Sequence, residues 1–512
     1  MQSKNRQLLL VGLLCIGLSA FPGFAIFMDP DSIAVWSLTV LLFFQVSIPF
    51  ARLSHPKEDD PLNFLVLISF MYFLHFVARP VFLLFNPDEM MRFGPDAEAL
   101  LANALLYTNI GFASLLIGYH SFAGCRLANY LPPLACKLRK GRLFNTIVLL
   151  YAVGLLMRLI VFSKGWHLRY ASGAYYGEVS AWFRVIDYLA VFSLYGFLLA
   201  TLYVFYTRYG RTNLLPLWYL MLGIEFTSAV LGGSKFALLF AFLAPLMAWR
   251  YRQMRMKVWP LLAASVAFII IAFPFLTVYR ASIDYEVILG GGYTAALGAL
   301  LPAVASSFLS NPWVWVEQVF VQVLTRFHGI VSMMAIIAGV PDLVDYQHGK
   351  TLLGAIASLV PTFLWPAKDE AIISAGYLMA WQIWNLGTRA GAGIGSTQIG
   401  ELYMNFGMLG VITGMFVLGA FYRFTYTYLI ERQMHFMSLF LYIYMVYWML
   451  PVDFDFQLAY GNLIKQMLFF LLPIVWFLNG GQIFERRQFA PRLGQARVGG
   501  PPVLRKQVDG KL

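Results

Sequence analysis

Long apolar stretches recur along the whole chain and constrain its fold more than any other feature. A helix needs about 20 mostly apolar residues to cross a bilayer, and the chain is 60% hydrophobic and only 12% charged. We therefore predict an all-α polytopic membrane protein of about 12 transmembrane helices, placed at Leu8–Met28, Ile33–Phe50, Leu62–Phe85, Leu100–Phe122, Phe144–Phe162, Trp182–Tyr206, Leu215–Leu231, Phe236–Trp249, Val258–Tyr279, Tyr403–Tyr422, Met437–Leu450 and Leu463–Leu478.

The distribution of Lys and Arg predicts how these spans are oriented. With the N-terminus inside, the inner segments hold 24 of the 37 basic residues and six of the 25 acidic ones, a net charge of +18, whereas the remainder carries −6. Short cytoplasmic loops are enriched in Lys and Arg, so we predict that both termini are cytoplasmic. The overall charge of +12 then reflects topology, and we expect no nucleic-acid partner.

One interval interrupts the series of spans. We divide the chain into an N-terminal bundle of about nine spans (1–279), a large outer loop region (280–402), C-terminal spans (403–480) and a basic cytoplasmic tail (481–512). A long, partly apolar loop in such a protein is usually functional. Within it, the piece Trp313–Ala338 is long enough to span but contains polar residues, and we interpret it as a helix buried in protein or lying at the outer surface.

Candidate site residues concentrate in this outer region. Arg280 ends the ninth span and precedes Gly291 in a triple-glycine turn. A planar guanidinium suits a diphosphate because it donates two hydrogen bonds and stays charged, although an arginine snorkelling to the interface is an equal alternative. Gln322 and Arg326 lie four residues apart on one helix face, which indicates either a wet cavity or a surface helix. His328 follows and points elsewhere unless the helix breaks at Gly329.

Further candidates lie at the outer ends of other spans. Glu401 and Asn405 share one helix face, and Gly400 leaves the outer approach to Glu401 open, so this carboxylate is a candidate base or an interfacial cap. Lys235 follows a glycine turn and either meets a phosphate or belongs to a plain turn. Polar residues elsewhere have simpler interpretations: solvated aspartates at Asp453 and Asp455, and structural pairing, with a proton relay as the alternative, for Arg158, Arg184, Asp187 and Glu225.

The motifs of the outer region occur in an order typical of one family. An arginine-containing helix is followed by a Gly-Lys-Thr turn, a Pro…Trp-Pro-x-Lys element and a Gly-Glu-x-Tyr-x-Asn-Phe-Gly signature. Residues 280–425 thereby resemble the Wzy-type O-antigen and exopolysaccharide repeat-unit polymerases of bacteria. The matching residues are Arg280, Gly291, Arg326, Gly349, Lys350, Thr351, Pro361, Trp365, Pro366, Lys368, Gly400, Glu401, Tyr403, Asn405, Phe406, Gly407 and Gly410.

The resemblance implies a GT-C-like, inverting glycosyltransferase in the bacterial inner membrane. Its substrates would be undecaprenyl-diphosphate-linked oligosaccharides at the periplasmic face, with a chain-length regulator as a candidate partner. Arg280 and Arg326 would face the diphosphate, since a leaving anion needs fixed cations, and Glu401 or His328 would act on the acceptor. We assign substrate binding to Lys235, Gly291, Gln322, Lys368, Arg389, Tyr403 and Asn405.

No cofactor is expected, and no cluster of carboxylates with metal-ligand spacing is evident, so we predict a metal-independent reaction. Two alternatives remain open. An O-antigen ligase would use the same donor with a lipid A-core acceptor. A transporter or flippase of a lipid-linked saccharide is favoured by the charges in spans five to seven. It is disfavoured because the chain has no internal repeat, whereas carriers usually consist of two related halves.

Overall fold

A computed structural model of the chain describes residues 30–53, 60–163, 181–206, 214–232, 234–253, 321, 323–360, 365, 374–383 and 395–485. Within these ranges the fold is helical, and the sole β-type contact is an isolated bridge between Leu134 and Phe484. The helices are α1 (Pro30–Arg52), α2 (Phe64–Leu84), α3 (Pro87–Met91), α4 (Ala97–His120), α5 (Phe122–Tyr130), α6 (Lys140–Ser163), α7 (Ala181–Ala190), α8 (Phe192–Tyr206), α9 (Leu215–Leu231), α10 (Lys235–Gln253), α11 (Gly329–Gly339), α12 (Lys350–Ala357), α13 (Ala375–Leu378), α14 (Gln398–Tyr426), α15 (Phe436–Met449) and α16 (Gln457–Leu478).

These helices confirm the prediction of an all-α polytopic membrane protein. Among the described residues, seven helical stretches are long and apolar enough to cross a membrane, and four shorter apolar helices accompany them. Ten of the predicted spans coincide with helices, whereas Leu8–Met28 and Val258–Tyr279 lie outside the described residues. The total of about 12 spans and the GT-C-like arrangement therefore stay predictions.

Helices α4 and α14 pack so closely that their backbones touch. A Cβ atom at Gly118 would lie 2.0 Å from the carbonyl oxygen of Phe416, and one at Gly419 would lie 2.1 Å from that of Leu115. Small residues at such crossings let membrane helices approach closely, because there is no hydrophobic driving force between helices in lipid. This contact fixes α14 against α4 along much of their length.

Helix α14 reverses direction at Gly407. This glycine has φ 61° and ψ −146° inside an otherwise helical segment. In a continuous helix, residues 402 and 414 would be about 18 Å apart, yet a Cβ at Gly414 would lie 2.3 Å from a methyl carbon of Leu402. Residues 398–406, here called the short arm, therefore fold back along residues 408–426. The predicted span Tyr403–Tyr422 was wrong at its start, because its first four residues belong to the short arm.

Two of the four charged residues named in spans five to seven form an ion pair. Arg158 on α6 and Glu225 on α9 form an ion pair with a 2.8 Å contact between Nη1 and Oε2. An unpaired charge among apolar helices is costly, so pairing agrees with the structural interpretation. The side chain of Arg184 lies outside the described residues.

Candidate active site

The short arm begins against the loop between α15 and α16, residues 450–456. The backbone N–H groups of Thr397 and Gln398 each donate at 3.3 Å, to the carbonyl oxygens of Asp453 and Val452 respectively. Gly395 permits this contact, since a Cβ there would lie 1.8 Å from the Asp453 carbonyl oxygen. The loop is thereby attached to the first turn of the short arm.

Glu401 is fully enclosed within this arrangement. Its side chain is 0% exposed, and its Oε2 accepts a hydrogen bond of 2.6 Å from the backbone N–H of Phe456. The other oxygen is buried without a hydrogen-bond partner among the described residues. The predicted open approach beside Gly400 was wrong, because Ile336 fills that space and comes within 2.6 Å of where a Cβ would stand.

Asp455 places a second carboxyl group beside Glu401. Its Oδ1 accepts from the N–H of Leu458 at 2.6 Å and its Oδ2 from that of Gly376 at 3.4 Å. Burial raises the pKa of Asp455, against these two donors, which lower it. The two carboxyls are close enough to repel each other when both are charged. The interpretation of Asp455 as a solvated aspartate was therefore wrong.

Asn405 connects the short arm to the Gly-Lys-Thr motif at the start of α12. Its amide nitrogen donates to Thr351 Oγ1 at 2.7 Å and to the Glu401 carbonyl oxygen at 2.8 Å. Its amide oxygen accepts from the N–H of Gly349 at 2.8 Å. Tyr403, on the same arm, is buried. Its ring packs edge-to-face with the ring of Tyr107, and the two ring centroids are 4.9 Å apart. Both residues hold neighbouring elements in position.

A histidine cluster lies where α11 meets the middle of α2. Nδ1 of His75 accepts from the N–H of Gly329 at 3.2 Å, and the rings of His75 and His328 are 6.4 Å apart between centroids. Gly329 allows this approach, because a Cβ there would lie 2.9 Å from Nδ1 of His75. The helix does break before Gly329, and Nδ1 of His328 lies 2.9 Å from the carbonyl oxygen of Arg326.

Asp453 supplies the negative charge of this cluster. Burial by itself raises the pKa of Asp453, but His75, His328 and Arg326 together outweigh burial and lower it. Burial lowers the pKa of His328, in opposition to Asp453, which raises it. These shifts favour the charged form of Asp453 and the neutral form of His328. Asp453 and His328 are partly buried, whereas Glu401 is fully buried.

The comparison with known families assigns the chain. The family model of the O-antigen polysaccharide polymerase Wzy matches residues 18–480. The chain belongs to the Wzy polymerase family. No curated protein and no solved structure matches the chain. Membership confirms the family resemblance and assigns the chain to polymerisation of O-antigen repeat units as a multi-pass membrane enzyme.

The loop 450–456 brings several of the residues predicted from the Wzy resemblance into one region. Asp453 faces Arg326 and His328, whereas Phe456 contacts Glu401, which is one turn from Asn405 on the short arm. Other predicted residues fall outside the description: nothing is described of Arg280, Gly291, Gln322, Lys368 and Arg389, nor of the side chain of Lys235, which begins α10. Among the described residues, no three His, Cys, Asp or Glu side chains are placed to hold a metal ion.

Sequence reasoning missed His75 and undervalued Asp453, Asp455 and Thr351. His75 carried a usable signal, because an ionisable residue within an apolar span is commonly functional. It is the twelfth residue of Phe64–Leu84, so the histidine cluster lies level with the middle of that helix. Two environments were predicted for the piece Trp313–Ala338: burial in protein or the outer surface. The part of it that forms α11 is buried in protein.

Proposed function

We propose that this Wzy-family enzyme joins oligosaccharide repeat units carried on undecaprenyl diphosphate, at the periplasmic face of the bacterial inner membrane. The growing chain would leave its lipid carrier and be transferred, with inversion, to the non-reducing end of the next unit. Family membership supports repeat-unit polymerisation. The observation that supports this reaction is the position of His328, which interacts electrostatically with both Asp453 and Arg326.

His328 is our candidate for the general base. A hydrogen bond from its Nδ1–H to the Arg326 carbonyl oxygen leaves the Nε2 lone pair free to accept a proton from the acceptor hydroxyl. Asp453 then stabilises the imidazolium that forms, as a buried carboxylate stabilises the imidazolium of a Ser-His-Asp triad. His75 accepts the Gly329 N–H and keeps the start of α11 in place.

Arg326 is our candidate for one of the cations that face the leaving diphosphate. As the glycosidic bond breaks, negative charge develops on the departing oxygen, and preorganised positive groups stabilise it. Arg326 is an exposed residue, which agrees with contact between its side chain and a substrate. We propose Arg280 as the second cation, with Lys235, Gln322, Lys368 and Arg389 as further contacts and Gly291 as a flexible turn. A cationic site of this kind would make a metal unnecessary.

Glu401 is better suited to positioning than to proton transfer. Its carboxyl is enclosed and holds the N–H of Phe456, three residues after Asp453. The short arm would in this way hold the loop that presents Asp453 to the two histidines. The short arm is compatible with a GT-C-like arrangement of the helices. The net charge of +18 on the predicted inner segments supports cytoplasmic termini. A chain-length regulator remains a candidate partner.

Reconstitution distinguishes this function from its alternatives. Purified protein in liposomes, supplied only with undecaprenyl-diphosphate-linked repeat units, should produce a ladder of polymers. A ligase would form no ladder and would transfer a glycan only when a lipid A-core acceptor is added. A transporter would leave every substrate covalently unchanged. The Arg158–Glu225 ion pair gives less reason to expect the proton relay that a transporter would use. Absence of a ladder with active substrate would refute the proposal.

The role of Arg326 is tested in the same assay. Removing one preorganised contact to a developing anion typically costs about 10²–10³ in rate, so Arg326→Ala and Arg280→Ala should each reduce polymerisation by this order. Arg326→Lys should also be impaired, since it retains charge but loses the planar fork. Arg92, exposed and paired with Glu89 at the surface, provides the control, and Arg92→Ala should be tolerated. Normal ladders from both arginine variants would remove them from the site.

A further inference from the structure

A polar cavity lies at the opposite end of α16 from the loop 450–456. It has a volume of about 240 Å³ and is lined by Lys137, Arg139, Arg142, Asn479, Gly480 and Gln482. Because α16 has 22 residues, this cavity is about 33 Å along the helix from the candidate active site. The charge distribution predicts that it faces the cytoplasm.

Hydrogen bonds between two loops build the wall of this cavity. The N–H of Lys137 donates to Oδ1 of Asn479 at 2.9 Å, and Nδ2 of Asn479 donates to the carbonyl oxygen of Ala135 at 2.7 Å. The N–H of Ala135 in turn donates to the carbonyl oxygen of Ile483 at 2.8 Å. Asn479 is 2% exposed, so the loops before α6 and after α16 form one fixed structure.

Three cations line the cavity, and none of them forms an ion pair with a carboxylate in the described part of the chain. Lys137 Nζ donates to Oε1 of Gln482 at 3.0 Å, and Arg142 Nη1 donates to the carbonyl oxygen of Phe477 at 3.0 Å. Both partners are neutral, and none of the ion pairs among the described residues involves these two side chains or Arg139. Three positive charges around one concave space attract an anion with several acceptor oxygens.

The surroundings indicate that this anion belongs to a lipid. Trp476 and Phe477, in the last turn of α16, are 51% and 52% exposed on a helix that is apolar enough to span a membrane. Aromatic residues at the ends of spans lie at the headgroup level. The guanidinium of Arg142 lies 5.5 Å from the centre of the Phe477 ring, which connects the cations with this lipid-facing edge.

We propose that the cavity binds the phosphate of an anionic glycerophospholipid. Basic pockets between membrane helices on the cytoplasmic side commonly hold acidic headgroups. A soluble phosphate would meet the same cations, but the adjacent exposed rings favour a ligand that also has acyl chains. This proposal is independent of the reaction at the outer end of the bundle.

Native mass spectrometry of delipidated protein tests the site with phosphatidylglycerol, phosphatidylcholine and inorganic phosphate. Phosphatidylglycerol should bind in preference to phosphatidylcholine. The double variant Lys137→Gln/Arg139→Gln should weaken phosphatidylglycerol binding roughly 30-fold, since each basic residue near an anionic lipid contributes about 1 kcal/mol, or about fivefold in affinity. The variant Lys137→Arg/Arg139→Lys should retain binding, which separates lost charge from a folding defect.

A matched control removes two charges elsewhere on the same predicted side. Arg52→Gln/Arg126→Gln alters exposed residues outside the cavity lining, and this variant should bind phosphatidylglycerol within about threefold of the unmodified protein. Equal loss in both double variants, or no preference over phosphatidylcholine, would overturn the proposal. Displacement of phosphatidylglycerol by millimolar inorganic phosphate would instead assign the cavity to a soluble anion and overturn the lipid assignment.

Discussion

Glutamine and alanine at position 401 should separate a positioning role from a catalytic one. Glu401→Gln keeps a carbonyl oxygen that can accept the Phe456 N–H, which now lies 2.6 Å from Oε2. The hydrogen bond to an amide oxygen is at most about 1 kcal/mol weaker than the one to a carboxyl oxygen. Relief of the repulsion from Asp455 offsets part of this loss. The polymerisation rate should therefore fall by no more than about fivefold.

Glu401→Ala removes the acceptor altogether. An unsatisfied buried N–H costs roughly 1–3 kcal/mol, and the space left by a side chain that is 0% exposed adds a cavity term. About 3 kcal/mol directed against the loop 450–456 would reduce the population that presents Asp453 correctly by about 10²-fold. We expect a correspondingly large fall in the rate of polymerisation.

Reconstituted polymerisation at equal protein abundance measures both variants. Glu431→Gln is the matched control, because the same chemical change at a partly exposed glutamate that pairs with Arg423 should cost at most about 1 kcal/mol. If Glu401 accepted the proton itself, glutamine would lose about 10²–10⁴ in rate, as much as alanine does. Equal, large losses in the two variants would refute the positioning argument.

Three further predictions concern backbone, protonation and metal. Gly407→Ala should destabilise the chain reversal by about 1–3 kcal/mol, since φ of 61° with ψ of −146° is strained for any residue with a Cβ. This destabilisation should reduce the abundance of the protein in membranes. Gly141→Ala, at a position where a Cβ meets no other atom, should leave the abundance unchanged. Burial lowers the pKa of His328 below its ordinary value of about 6.5, so a base at this position loses its function only at acid pH. The polymerisation rate should therefore be constant from about pH 8 to 7 and fall at acid pH. A fall that begins above pH 7 would contradict the role of His328 as a base. Excess EDTA should leave the rate unchanged, and activity that is lost and then restored by Mg²⁺ or Mn²⁺ would disprove metal independence.

The sequence by itself determined the class of protein and most of the helices. Hydropathy is a local property, so an apolar stretch such as Phe64–Leu84 predicts its helix without knowledge of its neighbours. The signature around Glu401 likewise identified the family, because the order of motifs along the chain does not depend on how they pack. The sequence also located Arg326, His328, Glu401 and Asn405 as candidate site residues.

Only the tertiary structure decided what these residues contact. Hydropathy could not reveal the reversal at Gly407, since residues on both sides of it are apolar and helical. His75 and His328 are separated by 253 positions yet share one cluster, because Gly329 lets α11 touch α2. Burial of Glu401 likewise depends on Ile336 and Phe456, which packing brings from distant parts of the chain. Such contacts depend on which helix faces meet, and a linear pattern does not specify that.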